Sequence, residues 1–209
     1  MVITYYGVEF FKIQFGDLVI AYNPIAKFKD GSPARFGADI ALVSLNHPNF
    51  NGVKNLSHGD KKPFVISGAG EYETKGIYVK GFHTEGNYDG EAHINTIYKL
   101  TLEGMTVCFL GALDRAELNE KIYEYIGEVD ILFVPIGGKN VLAPQEAYKL
   151  SLSFSPHIII PMHYDTGSAE LKTFLNEAGD ESAEPIDKLT LKKKDLEGKE
   201  GEIVVLKQL

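Results

Sequence analysis

Three short apolar runs constrain the fold more than any other feature of this chain: ADIALVSL (38–45), VDILFVPIGG (129–138) and PHIIIPMHYDT (156–166). Each has the length of a strand and is dominated by β-branched and aliphatic residues, the pattern of a strand buried in a sheet. Each also breaks abruptly. The first empties into Asn46-His47-Pro48-Asn49-Phe50-Asn51-Gly52, the second into a Gly pair, and the third into His163-Tyr164-Asp165. Buried strands that end in polar loops are where many α/β proteins place ligands or reacting groups. Taken alone, a strand, an Asn/Pro/Gly turn and one histidine also describe an ordinary surface turn.

The rest of the pattern fills in around these runs. Residues 2–22 predict two strands, VITYYGVEFFKIQF and DLVIAY, joined as a hairpin at Gly16-Asp17 and ended by Asn23-Pro24. Residues 63–82 predict two strands around a loop, and NTIYKLTLEGMTVCFLGAL two more about Glu103-Gly104. Leu118, Ile122, Tyr125 and Ile126 form a helical stripe within 117–128. Further helices are expected over 143–153, entered through Pro144, and over 169–177, with tail strands in LTLKK and EIVVLKQL. Strand clusters interleaved with helices predict a mixed α/β (α+β) sandwich. The chain reads as one domain over 1–209.

Composition narrows the partners. A single domain of 209 residues buries roughly 70% of the surface its unfolded chain exposes. The 29 acidic residues outnumber the 21 basic ones, and a net charge of −8 disfavours nucleic acid. The one basic cluster, Lys188 to Lys199, is interrupted by Asp195 and Glu197 and fits a solvated hairpin face. No apolar run approaches the ~18 residues of a membrane span, and the opening lacks a secretory pattern, so a cytoplasmic protein without a membrane partner is expected. The single Cys108 excludes an intramolecular disulfide and, inside MTVCFL, reads as a buried filler. The 11 Tyr and 12 Phe make a homo-oligomer plausible.

The loop after the first run carries a resemblance. SLNHPNFNG is similar, in frame and after a strand, to the metal-binding loop T-H-x-H-x-D-H-x-G of the metallo-β-lactamase superfamily. GAGEYETKGI (68–77) resembles the P-G-E-Y-E-x-x-G-[IV] run of its small hydrolase-like branch, which includes lactonases. NTIYKLTLEGMTVCFLGAL, VDILFVPIGG and Pro161-Met162-His163-Tyr164 match later segments of that branch in the same order. The resemblance covers nearly the whole chain and implies the four-layer αβ/βα fold, two sheets face to face with helices outside.

Relatives of this kind bind one or two divalent ions, commonly zinc, and attack with a metal-bound hydroxide. The ion lowers the pKa of its water from about 15.7 to about 7. Carried over by position, the first ion's ligands are Leu45, His47 and His83. The second ion's are Asn49, Phe50 and His163, with Ala112 as the bridge. Leu45, Phe50 and Ala112 offer no lone pair, and Asn49 offers only an amide oxygen. Val8 likewise stands at a His position, Asn23 at an Asp and Phe109 at a His. Every acidic ligand is gone, so a two-metal centre is not expected and no cofactor is the first expectation. The substitutions instead suggest that side chains pack where cations would sit, with a non-catalytic binding or structural role. The ligand-binding cleft would then hold His47, Asn49, His83, His163 and Tyr164.

A different reading keeps one zinc on His47, His83 and His163 and hydrolyses a small ester, lactone or phosphoester. Metal-free acid–base chemistry at Glu71, Asp165 or Asp114 beside a histidine ranks third, since no motif selects a nucleophile. His58, His93 and His157 lie off the ligand positions and read as surface or structural residues. The partner, a small molecule or a protein, is not named by the sequence.

Overall fold

The structure is a computed structural model that describes residues 1–27, 36–165 and 167–209. Two sheets face each other. The first has six strands in the order β12-β1-β2-β3-β4-β5, built from β1 (Val2–Tyr5), β2 (Phe11–Phe15), β3 (Leu18–Tyr22), β4 (Ile40–Leu42), β5 (Phe64–Ile66) and β12 (Leu189–Thr190). The second has seven, β13-β11-β10-β9-β8-β7-β6. Its strands are β6 (Gly70–Thr74), β7 (Ile77–Tyr88), β8 (Glu91–Leu102), β9 (Met105–Phe109), β10 (Ile131–Pro135), β11 (Ile158–Met162) and β13 (Glu202–Ile203). The continuous apolar runs form the parallel part of the sheets, β3-β4-β5 and β9-β10-β11-β13, as expected for strands covered on both faces.

Helices α1 (Glu120–Ile126), α2 (Pro144–Leu152) and α3 (Ala169–Ala178) accompany the second sheet, α2 packing on β10. Asn119 caps α1 by accepting from the Lys121 N–H, and Ser168 caps α3 by accepting from Leu171. The outer face of the first sheet is covered differently: Val19, Ala21 and Ala41 pack against Phe10, Ile25 and Leu56, the last from a 3-10 turn over Val53–Leu56. Between the sheets, Tyr22 meets Phe109 at 4.5 Å between centroids and Phe11 meets Phe133 at 4.8 Å. Cys108 is fully buried in this core, as its apolar run predicts. Tyr98 ties the sheets together, its hydroxyl accepting from the Gly68 N–H and donating to the carbonyls of Val43 and Ile66.

Three expectations need correction. VITYYGVEFFKIQF is not one strand: the chain turns at Tyr6–Phe10, where the Tyr6 and Phe10 N–H groups bond to the Phe10 and Gly7 carbonyls, and β1 pairs antiparallel with β2. The region after residue 63 holds three strands, the last running on to Tyr88 and forming a long hairpin with β8 through Asp89-Gly90. Within Lys188–Lys199 the chain forms the short β12 and then a 3-10 turn over Lys193–Leu196, not a hairpin face. Residues 28–35, in the loop between β3 and β4, lie outside the described residues.

Candidate functional site

The ends of β3, β4, β9 and β11 and the turn after β1 converge on one region. Its floor is a buried polar chain. Glu9, in the turn, is fully buried, and its Oε1 lies 2.9 Å from Nδ1 of His163, the residue that follows β11. Its Oε2 accepts from Asn23 Nδ2 at 2.9 Å. Asn23 Nδ2 also donates to Ser44 Oγ at 2.7 Å, and Asn23 Oδ1 accepts from the Ser44 N–H at 2.7 Å. An aspartate at position 23 could not do this, because it has no N–H to offer a buried carboxylate. Glu9 and Asn23 therefore work as a pair. Burial pushes the Glu9 carboxyl above its ordinary range, while the bonds from His163 and Asn23 pull it back.

The backbone here is strained. Val8, Asn23 and His163 have φ of 53°, 45° and 62°, a left-handed conformation that is a genuine outlier for a β-branched valine. The His163 N–H donates to the Val8 carbonyl at 2.5 Å, so two of the three hold each other. Residues in such conformations cost about 1–3 kcal/mol each and persist only where neighbours enforce them.

Above this floor lies an apolar plug. Leu45, Phe50, Tyr88, Ala112 and Val141 form one buried cluster, with Val8 packed against it. Phe50 is fully buried and Leu45 is 2% exposed, so each contributes about 1.5–3 kcal/mol by burial. The 46–52 loop is pinned against the chain after β3: a Cβ on Gly52 would sit 2.4 Å from the Ile25 carbonyl. Tyr88 links the two halves, its ring 4.9 Å from His47, 5.1 Å from Phe50 and 5.8 Å from His163. Asn49 Nδ2 donates to the Tyr88 hydroxyl at 3.3 Å. Desolvation pushes that hydroxyl up to about 12, so it stays protonated at neutral pH.

Of the residues singled out in sequence, the structure brings together His47, Asn49, His163, Tyr164 and Asp165 around a cavity of about 530 Å³ or its rim. Asn49, Tyr88, His163, Tyr164 and Asp165 line it, with Val8, Lys27 and Glu170. The Tyr164 hydroxyl is turned away, donating to the Leu206 carbonyl. His47 Nδ1 accepts from the Asn49 N–H, and its Nε2 lies 3.5 Å from Asp89. His83 stands apart on β7, 48% exposed and 3.6 Å from Glu85. Glu71 lies on β6, paired with Lys80 at 2.9 Å and away from the cavity, and Lys80 holds its carboxyl below the usual range. Asp114 Oδ2 accepts from the Asn87 N–H, a structural bond. His58 sits in an exposed turn and His157 lies 3.2 Å from Asp130. His93 lies on β8 with its ring 6.4 Å from that of His47.

Glu9 escaped sequence reasoning because a glutamate between Val8 and Phe10 reads as the outward residue of a strand. The one available signal was Gly7, which marks a turn.

Among the described residues, no three His, Cys, Asp or Glu side chains are grouped to hold a metal. Three of the positions where the resemblance places ligands, 45, 50 and 112, belong to the apolar cluster instead.

Comparison with known proteins gives a consistent picture. Residues 2–163 match the beta-lactamase superfamily domain. A UPF0173 protein of Pyrococcus abyssi is 31% identical over 148 residues, 65% of this chain and 65% of that relative, just under two thirds of its length. A UPF0173 metal-dependent hydrolase of Thermococcus kodakarensis is 27% identical over 179 residues, 72% of this chain and 76% of the relative. Among solved structures, a candidate Zn-dependent hydrolase of the metallo-beta-lactamase superfamily from Thermotoga maritima superposes with a TM-score of 0.73 at 29% identity, covering 98% of this chain and 97% of its own.

Proposed function

Since this chain belongs to the beta-lactamase superfamily, we propose that it is a metal-dependent-hydrolase-like protein whose two-metal centre is replaced by packing, and that it binds a small molecule in the remaining cavity. One observation carries this reading: Leu45, Phe50 and Ala112, at positions where ligands are expected, lie buried in a single apolar cluster. The coupled pair Glu9 and Asn23 supports it, because the carboxylate that is buried here is satisfied by side chains and needs no cation. A cavity of about 530 Å³ with a few converging polar groups has the size and character of a small-molecule site.

Elemental analysis of protein purified without chelator tests the reading. The expected content is far below one equivalent of any transition metal. About one equivalent of zinc, lost in His163→Ala, would overturn it in favour of a mononuclear hydrolase using His47, His83 and His163.

A further inference from the structure

We infer that the edge strand β12, flanked by Lys188 and Lys192, is a docking site for an extended acidic peptide segment of a partner protein. The groove beside this strand shares no residue with the cavity that His163 lines.

The backbone supplies the first half of the site. β12 stands at the end of the order β12-β1-β2-β3-β4-β5 and pairs with β1 alone. Leu191, the next residue along, bonds to Met1 in both directions: its N–H donates to the Met1 carbonyl, and its carbonyl accepts from the Met1 amino group. In an antiparallel ladder, residues that bond the neighbouring strand alternate with residues that face away from it. Leu189 therefore turns its backbone to β1, and the N–H and C=O of the exposed Thr190 point out from the sheet edge.

Charge supplies the second half. The chain carries a net charge of −8, yet Lys188, Lys192, Lys193 and Lys194 are exposed and have no ion pair among the described residues. Lys199 and Lys207, by contrast, are paired with Glu202 and Asp187. The neighbouring carboxylates are already committed. Asp195 accepts from the Lys192 N–H at 2.7 Å, and Glu103 holds the Met1 amino group at 2.7 Å. With the two-residue period of a strand, Lys188, Thr190 and Lys192 present their side chains on one face.

Lysines on a sheet edge ordinarily deter pairing with another strand. Here they deter strands without acidic residues and favour one that carries them at the same spacing, because opposite charges across a ladder attract. A groove of about 460 Å³ beside the edge holds Val2 and Phe15, the latter 43% exposed, and offers contact to an apolar side chain. The fitting segment alternates acidic, any, apolar, any, acidic, and adds a strand antiparallel to β12. Its central residue exchanges hydrogen bonds with Thr190. A nucleic acid would use the lysines but leave the strand edge and Phe15 idle.

The test titrates the full chain into a fluorescein-labelled Glu-Thr-Phe-Thr-Glu peptide with blocked ends, read by fluorescence anisotropy. Expected are saturable binding that weakens as salt rises, and slower hydrogen exchange at the Thr190 amide. Lys188→Glu combined with Lys192→Glu should weaken binding by about tenfold or more, and this variant should instead bind Lys-Thr-Phe-Thr-Lys. N-methylation of the peptide's central phenylalanine, which removes its bond to Thr190, should abolish binding to the wild type. No saturable binding, or binding indifferent to charge reversal or to N-methylation, overturns the inference. Duplex DNA that binds more tightly than the peptide and displaces it also overturns it. The comparison of peptides on the wild-type chain decides the matter even where the variant does not fold.

Discussion

Asn23 shows how one atom decides what a buried site tolerates. Its Nδ2 sits 2.9 Å from a fully buried glutamate oxygen, where an aspartate would place a second carboxylate. Asn23→Asp, which restores the acid expected from the superfamily pattern, should therefore destabilise the fold by about 3 kcal/mol or more at pH 7. Two carboxylates in contact hold at least one proton above its unfolded pKa. The cost should thus be smallest below pH 4 and grow as pH rises, which denaturant midpoints of the two proteins at several pH values would show. Cys108 gives a second pH signature. Burial raises its thiol from an ordinary 9.0 to about 12, so its contribution to stability is complete below pH 9 and is lost as pH rises toward 12. The stability difference between wild type and Cys108→Ala should narrow over that window, and the native thiol should resist alkylation at pH 8. At this scale the sequence was legible where a motif supplied a frame, as at Leu45, Phe50 and Ala112. It was silent on Glu9, because strand alternation explains a polar residue between apolar ones without requiring a site.

At the scale of elements, legibility followed burial. The β4, β10 and β11 runs were recognisable because strands covered on both faces leave no room for polar residues. The β7–β8 hairpin was partly missed: its outer half, GFHTEGNY, is polar, and the Asp89-Gly90 turn was the only cue. The turn at Tyr6–Phe10 was hidden by the aromatic residues flanking it, two of which, Tyr6 and Phe10, pack on each other at 4.9 Å instead of extending a strand. Tyr98 on β8 is the element-level link most open to test. Its hydroxyl serves one N–H and two carbonyls between the sheets, and Tyr98→Phe removes these bonds, the Ile66 carbonyl alone keeping a second partner in the Val43 N–H. A loss of about 1–3 kcal/mol is expected from chemical denaturation. An unchanged midpoint would show that the sheets are held by apolar packing alone.

For the whole molecule, the two-sheet scaffold and its superfamily membership are established. The order of segments made the architecture readable, because strand order and turn chemistry do not depend on which residues stand at the ligand positions. The resemblance placed Leu45, Phe50 and Ala112 at ligand positions, while only the fold could show that they meet in one cluster. No helix among the described residues is long and apolar enough to cross a membrane. The direct measurement is X-ray diffraction at the zinc absorption edge from crystals grown with zinc. No anomalous peak should arise among His47, His83 and His163, with Phe50 and Leu45 filling the density beside them. A peak near full occupancy coordinated by these histidines would contradict the replacement of the metal centre by packing.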